Sequence, residues 1–142
     1  MDPILATLHA YRDAVLAKDV EAFVRLYDDD LHVFDMWGDW SLRGLAAWRR
    51  MAQGWFGSLG DECVVVSFDD IQSSIAGAIA YGHATVTYTA QSKDGVAVRS
   101  LSNRMTLVLQ RRGEDWKVVH EHTSAPIEHA TLKAVLQRPR DA

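Results

Sequence analysis

The chain has few of the features that cross-link, anchor or export a protein. Its 142 residues include one cysteine, Cys63, and 3 prolines. A single cysteine excludes an internal disulfide framework and is typical of a reducing compartment. Apolar runs are only a few residues long, whereas a membrane-spanning helix needs about 20, and no basic-then-apolar leader opens the sequence. We therefore expect a cytoplasmic protein with no membrane partner.

Clustered positive charge and nucleotide-binding motifs are also missing. The 15 Lys and Arg residues are scattered among 19 Asp and Glu residues, for a net charge of −4. Proteins that bind phosphate backbones need a clustered positive face, so nucleic acid is not an expected partner. The sequence contains no Walker loop, dinucleotide fingerprint or nucleophile elbow, and we expect no cofactor.

Helical periodicity dominates the first part of the chain. Asp2 and Pro3 have the residue types of an N-cap and a first helical position. The apolar spacing predicts a helix from Ile4 to Leu16, a second helix after Asp19, a strand from Leu31 to Trp37 and a third helix from Gly44 to Phe56. The acidic triplet at residues 28–30 is expected to end the second helix, because negative charge there opposes the helix dipole.

The pattern changes at Cys63 to alternating, β-branched segments. They predict strands at about Cys63–Ser74, Ile75–Gln91, Val96–Gln110 and Trp116–Ser124. Hairpin connections imply an antiparallel sheet with the helices over one face, an α+β fold. We predict a single domain over residues 1–126, followed by a tail over residues 127–142. A short helix in this tail is one alternative.

The predicted sheet carries more apolar residues than one buried face needs. They are Ala84, Val86, Tyr88, Leu101, Met105, Leu107 and Leu109. Apolar residues on a solvent-facing sheet surface often mark an interface between subunits. A homodimer through the outer sheet face is therefore predicted.

Three segments of this chain resemble the NTF2-like superfamily. They are Tyr27–Asp35 (YDDDLHVFD), Leu42–Gly44 (LRG) before a helix, and Asp115–Pro126 (DWKVVHEHTSAP), which is similar to the closing strand of the SnoaL-like and calmodulin-kinase association-domain branch. The resemblance implies a cone-shaped, cystatin-like fold in which a curved antiparallel sheet wraps around the N-terminal helices. Enzymes and binding or assembly modules share this fold, so the fold alone does not fix the function.

Residues 11–38 also resemble the ketosteroid isomerases. The resemblance places Asp35 on their general-base aspartate and Tyr11 on their oxyanion-hole tyrosine. Their second donor, a protonated carboxylic acid, has no counterpart here, because no Asp or Glu lies between Asp94 and Glu114 and Thr106 is near the matching position. The structural alternative for Asp35 is a buried carboxylate held by backbone or hydroxyl donors.

The pairing of the last two strands determines which residues would face the interior of the cone. A tight turn at Arg112-Gly113 predicts that the cross-strand pairs Arg104–Glu121, Thr106–Val119 and Ser102–Thr123 share one face. The resemblance implies that this face lies inside the cone. A buried guanidinium and carboxylate should form an ion pair. That pair either stabilises the sheet only or leaves Arg104 free to bind a ligand carboxylate or enolate. If the register slips by one residue, the two faces exchange roles.

Further candidates lie on the neighbouring strands. On one of them the polar face of Tyr81, His83, Thr85 and Thr87 is predicted to look inward, which makes His83 a candidate for proton transfer. Trp37 is expected at the cavity mouth. His120 and His122 point the same way from one strand, but no third ligand accompanies them. We therefore predict no metal site.

These features predict a small-molecule-binding domain. One hypothesis is an isomerase, cyclase or hydratase type of enzyme. Its catalytic residues would be Asp35, His83 and Tyr11, with Asp35 or His83 transferring the proton and Tyr11 or Arg104 stabilising the oxyanion. Its ligand contacts would be Arg104, Glu121, Trp37, Thr106, Tyr81 and Thr123. The other hypothesis is a non-catalytic ligand-binding or assembly module of the same fold.

Overall fold

The computed structural model describes residues 2–139. Three helices and six strands follow one another along this part of the chain. In order they are α1 (Pro3–Ala17), α2 (Val20–Val24), β1 (Tyr27–Phe34), β2 (Leu42–Arg43), α3 (Leu45–Ser58), β3 (Cys63–Ala76), β4 (Ile79–Gln91), β5 (Ala97–Arg112) and β6 (Asp115–Ser124). This order confirms the predicted α+β class.

The N-terminal helices begin at the predicted caps. The Asp2 carboxylate accepts hydrogen bonds from the backbone N–H groups of Ile4 and Leu5 at 2.8 and 3.2 Å, and Pro3 is the first helical residue. The Asp19 carboxylate accepts from Ala22 N–H at 3.0 Å at the start of α2. Both sites satisfy N–H groups that have no partner within the helix.

The acidic triplet at residues 28–30 does not end α2 as predicted. It lies inside β1, with its side chains partly or fully exposed. Asp29 and Asp30 are exposed, and the Asp28 carboxylate forms an ion pair with Arg112 at 3.0 Å. None of the three is therefore buried without a partner, and pairing with neighbouring strands outweighs their low strand propensity.

One mixed sheet forms the scaffold, in the order β2-β1-β6-β5-β4-β3. All neighbours are antiparallel except β1 and β6, which are parallel. Neither this parallel pair nor the short strand β2 was predicted from the sequence. The sheet curves around the helices, and we call the helix side its inner face. Gly82 allows the close approach of α1, since a Cβ there would lie 2.6 Å from Ile4 Cγ2 and 2.7 Å from the Gln72 carbonyl oxygen.

The predicted register of β5 and β6 is wrong. Arg112 pairs with Asp115, so the hairpin turns one residue later than predicted, and an irregularity between Val108 and Leu109 adds a further shift. Arg104 therefore pairs with Ser124, and Glu121 pairs with Leu107. The combined shift is three residues, an odd number, so Arg104 and Thr106 of β5 lie on the outer face while Glu121 and Thr123 of β6 stay on the inner face. The observed shift is larger than the one-residue slip that the sequence left open, and it exchanges the faces of β5 but not those of β6.

The faces of β4 are exchanged as well. Its alternate residues Gly82, Ala84, Val86 and Ala90 are buried on the inner face, whereas Tyr81 and His83 are exposed on the outer face. The apolar residues that suggested a subunit interface lie mostly in the core, including Val86, Met105, Leu107 and Leu109. That reason for a homodimer is removed, and the homodimer itself stays a prediction.

The segment after β6 contains no helix within residues 127–139. Ile127 instead forms an isolated bridge with Ala134, and the segment bonds to β5 through Ser102 N–H to Leu136 O at 2.7 Å and Gln137 Nε2 to Ser100 O at 2.7 Å. Among residues 2–139, no helix combines the length and the apolar character that crossing a membrane would require.

Candidate functional site

A cavity of about 430 Å³ opens between the inner face of the sheet and the helices. This volume lies within the range of small-molecule pockets. Most of its wall is aromatic or aliphatic. The lining residues are Tyr11, Asp35, Trp37, Trp48, Met51, Trp55, Leu59, Val64, Tyr88, Ala90, Arg99, Ser100, Leu101, Asn103, Glu121 and Thr123.

Asp35 follows the last residue of β1 and lines this cavity. The Thr123 hydroxyl donates to Asp35 Oδ1 at 3.0 Å and accepts from Met36 N–H at 2.9 Å. Partial burial raises the pKa of Asp35, while the Thr123 hydroxyl and backbone N–H groups oppose the rise. The Asp35 carboxylate is therefore fixed in position by hydrogen bonds and still faces the cavity.

Glu121 on β6 is the second carboxyl group of the cavity. It is 2% exposed, and the Tyr27 hydroxyl donates to its Oε1 at 2.7 Å. Burial raises the pKa of Glu121 to about 7; donation from Tyr27 opposes the rise and the charge of Asp35 adds to it. Within residues 2–139, no ion pair joins Asp35 or Glu121 to a cation. A buried carboxyl without a cation readily holds its proton near neutral pH.

Two tyrosine hydroxyls lie beside the carboxyl groups. Tyr11 on α1 and Tyr88 on β4 have their hydroxyl oxygens 3.0 Å apart. Burial raises the pKa of both phenols, so they stay protonated. Their mutual bond uses one of the two hydroxyl hydrogens, which leaves the other free to donate to a ligand.

The mouth of the cavity is aromatic and carries one cation. Trp37 is 55% exposed and lines the opening together with Trp55. The Arg99 guanidinium donates to both carboxylate oxygens of Glu62, at 2.6 and 3.2 Å. Because Glu62 balances its charge, Arg99 does not act as an unpaired cation at the mouth.

The structure brings together five of the predicted site residues. Those that line the cavity are Tyr11, Asp35, Trp37, Glu121 and Thr123. Whether they act on a ligand stays a prediction.

The other four predicted residues lie on the outer face, outside this cavity. They are Arg104, Thr106, Tyr81 and His83, all exposed. The predicted Arg104–Glu121 ion pair is wrong: Arg104 Nε donates to Ser124 Oγ at 3.2 Å instead. Since the side chains of neighbouring strand residues alternate between faces, the register error misplaced Arg104 and Thr106. Tyr81 and His83 were misplaced because the polar composition of their side of β4 suggested an inward face.

Three residues of the site were not predicted from the sequence: Tyr88, Asn103 and Tyr27. Tyr88 and Asn103 were hidden by the exchange of faces. Tyr27 was noted only as part of the family motif, and its contact with Glu121 spans 94 positions along the chain. No local signal in the sequence reports such a contact.

His120 and His122 lie on the outer face, as predicted. Their rings surround Phe34, with ring centroids 5.0 and 5.4 Å away, and His120 Nδ1 lies 2.7 Å from the His32 carbonyl oxygen. In the part of the chain that the structure describes, no three His, Cys, Asp or Glu side chains are arranged to hold a metal ion.

Comparisons with known proteins identify the fold. A family model for the SnoaL-like domain matches residues 4–128. An NTF2-like protein of unknown function from Pseudomonas putida KT2440 has 24% identity and a TM-score of 0.81, over 96% of this chain and 93% of that one. A cystatin-like protein from Caulobacter vibrioides has 21% identity and a TM-score of 0.70, over 86% of each chain.

A third structure comes from Xanthomonas campestris and is assigned as a calcium/calmodulin dependent protein kinase II association domain. It has 15% identity and a TM-score of 0.74, over 88% of this chain and 86% of that one. No curated protein matches this sequence. These likenesses confirm the predicted NTF2-like, cystatin-like fold and the SnoaL-like resemblance, and at this level of identity they carry no activity with them.

Proposed function

Because the chain belongs to the SnoaL-like domain family, we propose that its cavity binds a small, mostly apolar organic molecule with a carbonyl group and catalyses proton transfer at the adjacent carbon. Asp35 is the base in this proposal. Glu121 and the Tyr11–Tyr88 pair donate hydrogen bonds to the carbonyl oxygen.

The observation that carries the proposal is the pair of carboxyl groups in one apolar cavity. Asp35 is half-buried, and this burial raises its pKa, whereas the hydrogen bonds that it accepts favour its charged form. Glu121 is almost fully buried where it lines the cavity, and this burial raises its pKa to about 7. Environments that separate the pKa values of two such groups assign one as base and the other as acid.

The chemistry follows from those two protonation states. The Asp35 carboxylate takes a proton from the carbon next to the carbonyl, the C–H electron pair becomes the enolate π bond, and negative charge develops on oxygen. Protonated Glu121 and the free tyrosine hydroxyl stabilise that charge by hydrogen bonding in a site with little water. Asp35 then returns the proton to the same or another carbon, which gives exchange or isomerisation.

Hydrogen–deuterium exchange tests the proposal. We would incubate the protein in D₂O with a panel of small cyclic and aryl ketones and follow loss of the α-proton signal by NMR. Asp35→Asn should lower the exchange rate by about 10²–10⁴-fold, the usual contribution of a general base. Asp39→Asn is the matched control, because Asp39 is exposed nearby on the same loop and should leave the rate unchanged.

The same panel separates the two hypotheses made from sequence. Ketones that bind without enzyme-dependent exchange would favour the non-catalytic binding module. Exchange that is equally fast in Asp35→Asn would contradict the role of Asp35 as the base.

A further inference from the structure

Tyr27 is the only residue that bonds to the Glu121 carboxyl among residues 2–139. It lies at the start of β1, is 3% exposed and does not line the cavity. Its ring packs against Phe23 and Trp48, with centroids at 5.3 and 5.7 Å. Tyr27 therefore cannot touch a ligand in the cavity, and it can influence one only through Glu121.

Glu121 itself has little freedom to move. Its strand is central in the sheet, and its backbone pairs with Val33 on one side and Leu107 on the other. The Tyr27 hydroxyl occupies Oε1 at 2.7 Å. The remaining oxygen, Oε2, is the one available to a molecule in the cavity that Glu121 lines.

We infer that Tyr27 is a positioning residue, whose hydroxyl holds Oε1 of Glu121 so that the acidic proton is carried on Oε2 and directed into the cavity. This inference rests on the proposed function, in which Glu121 is the acid. The buried rings of Phe23 and Trp48 hold the phenol in place on the side away from the ligand.

The hydroxyl of Tyr27 also opposes the effect of burial on Glu121. Donation to a carboxylate favours the charged form and lowers its pKa, whereas burial raises it. The other titratable groups that face Glu121 or share its cavity come from α1, β4, the end of β1 and β5: they are Tyr11, Tyr88, Asp35 and Arg99. None of these is within hydrogen-bond distance of the Glu121 carboxyl, so Tyr27 is its direct contact.

The test is the variant Tyr27→Phe, which removes one oxygen atom and keeps the ring. The ¹³C-carboxyl signal of labelled Glu121, assigned by its loss in Glu121→Gln, is titrated in protein without ligand. Losing a hydrogen bond to the charged form should move the midpoint upward by about one to two pH units. Tyr81→Phe, which removes an exposed hydroxyl on the outer face, should not move it.

A second measurement needs no substitution at Tyr27. The ¹³Cζ signal of Tyr27 in the unmodified protein should titrate with the same midpoint as the Glu121 carboxyl, and that of Tyr81 should not. The exchange rate should fall at alkaline pH as Glu121 ionises, and this alkaline limb of the pH profile should shift in Tyr27→Phe by the same amount as the carboxyl midpoint. In a Glu121→Gln background, Tyr27→Phe should add no shift.

The outcomes separate this inference from the proposed function. An unchanged carboxyl midpoint in Tyr27→Phe, or a Tyr27 signal that ignores the Glu121 titration, overturns the positioning role. A shifted midpoint together with a shifted alkaline limb supports it. If no ketone exchanges even with the unmodified protein, the proposed function fails, whereas a shifted midpoint would still support the hold of Tyr27 on Glu121.

Discussion

Charged side chains have different partners on the inner and outer faces of the sheet. On the inner face, Asp35 and Glu121 line the cavity with only hydroxyl and backbone donors as direct partners. On the outer face, Arg104 is exposed and donates to Ser124, close to the ring cluster of His120 and His122. The inner face therefore leaves a buried acid without a cation.

That difference decides what Glu121 can do. If Arg104 faced inward, as the predicted register required, an ion pair would hold Glu121 in its charged form, and the cavity would have no acid to donate a proton. Because Arg104 faces outward, no ion pair opposes the effect of burial, which raises the pKa of Glu121 to about 7. The register of one hairpin therefore decides whether Glu121 is a partner in an ion pair or a candidate acid.

The largest expected effect is on stability, and it should distinguish two neighbouring residues on opposite faces of β5. Leu107 is 3% exposed on the inner face, and Thr106 is exposed on the outer face. Leu107→Ala should lower the free energy of unfolding by about 2–5 kcal/mol, since it removes buried methyl groups and leaves a cavity. Thr106→Ala should change it by less than about 0.5 kcal/mol. Urea denaturation of both variants checks the assignment of faces, and a reversed order would contradict it.

The fold could be predicted from sequence because its signals are local. The caps at Asp2 and Asp19, the helical apolar spacing and the alternation after Cys63 each depend on a few adjacent residues. The faces of the sheet could not be predicted in the same way. They depend on the turn after Arg112 and on an irregularity beside Val108, which no residue type marks.

Composition also misled the assignment of β4. Gly82 and Ala84 look too small for a core, and His83 and Thr85 look suited to a polar pocket. The small residues are inside because α1 packs directly on the strand at Gly82, so the requirement comes from a helix distant in sequence. Asp35 and Tyr11 do line the cavity. Both were chosen from the resemblance of residues 11–38 to the ketosteroid isomerases, which requires no assumption about strand register.

The next effect is the pH dependence of stability due to Glu121. Its folded pKa of about 7 lies above its ordinary value of 4.5. The folded state therefore binds the extra proton, and stability is lost as the pH rises from about 4.5 through 7. Glu121→Gln removes this loss, so between pH 5 and pH 8 the unfolding free energy of the variant should fall by about 2–3 kcal/mol less than that of the unmodified protein.

Urea denaturation at the two pH values measures this difference. Glu114→Gln, at an exposed position in the hairpin turn, is the control and should follow the unmodified protein. Equal pH dependence in Glu121→Gln would show that Glu121 is already ionised across this range and would remove the candidate acid.

A smaller effect is expected from the hydroxyl that holds the base. Thr123→Val keeps the shape of the side chain but removes the hydrogen bond to Asp35 Oδ1, so the pKa of Asp35 should rise by about one unit. The exchange rate needs Asp35 ionised, and its acid limb should therefore move to higher pH by the same amount. Ser124→Ala removes the adjacent hydroxyl on the outer face and should leave that limb in place.

The smallest effect is expected at Arg104, and it sharpens the comparison most directly. From sequence, Arg104 was a candidate to bind a ligand carboxylate or enolate, whereas the structure has it on the face away from the cavity. Arg104→Ala should therefore change the Kd of any ketone bound in the cavity by less than about twofold, because it leaves every lining side chain in place. Asn103→Ala, one residue away on the inner face, is the informative partner. Calorimetric titration of both variants with the same ketone should show weaker binding only for Asn103→Ala, and a loss of affinity in Arg104→Ala alone would mean that the ligand binds on the outer face.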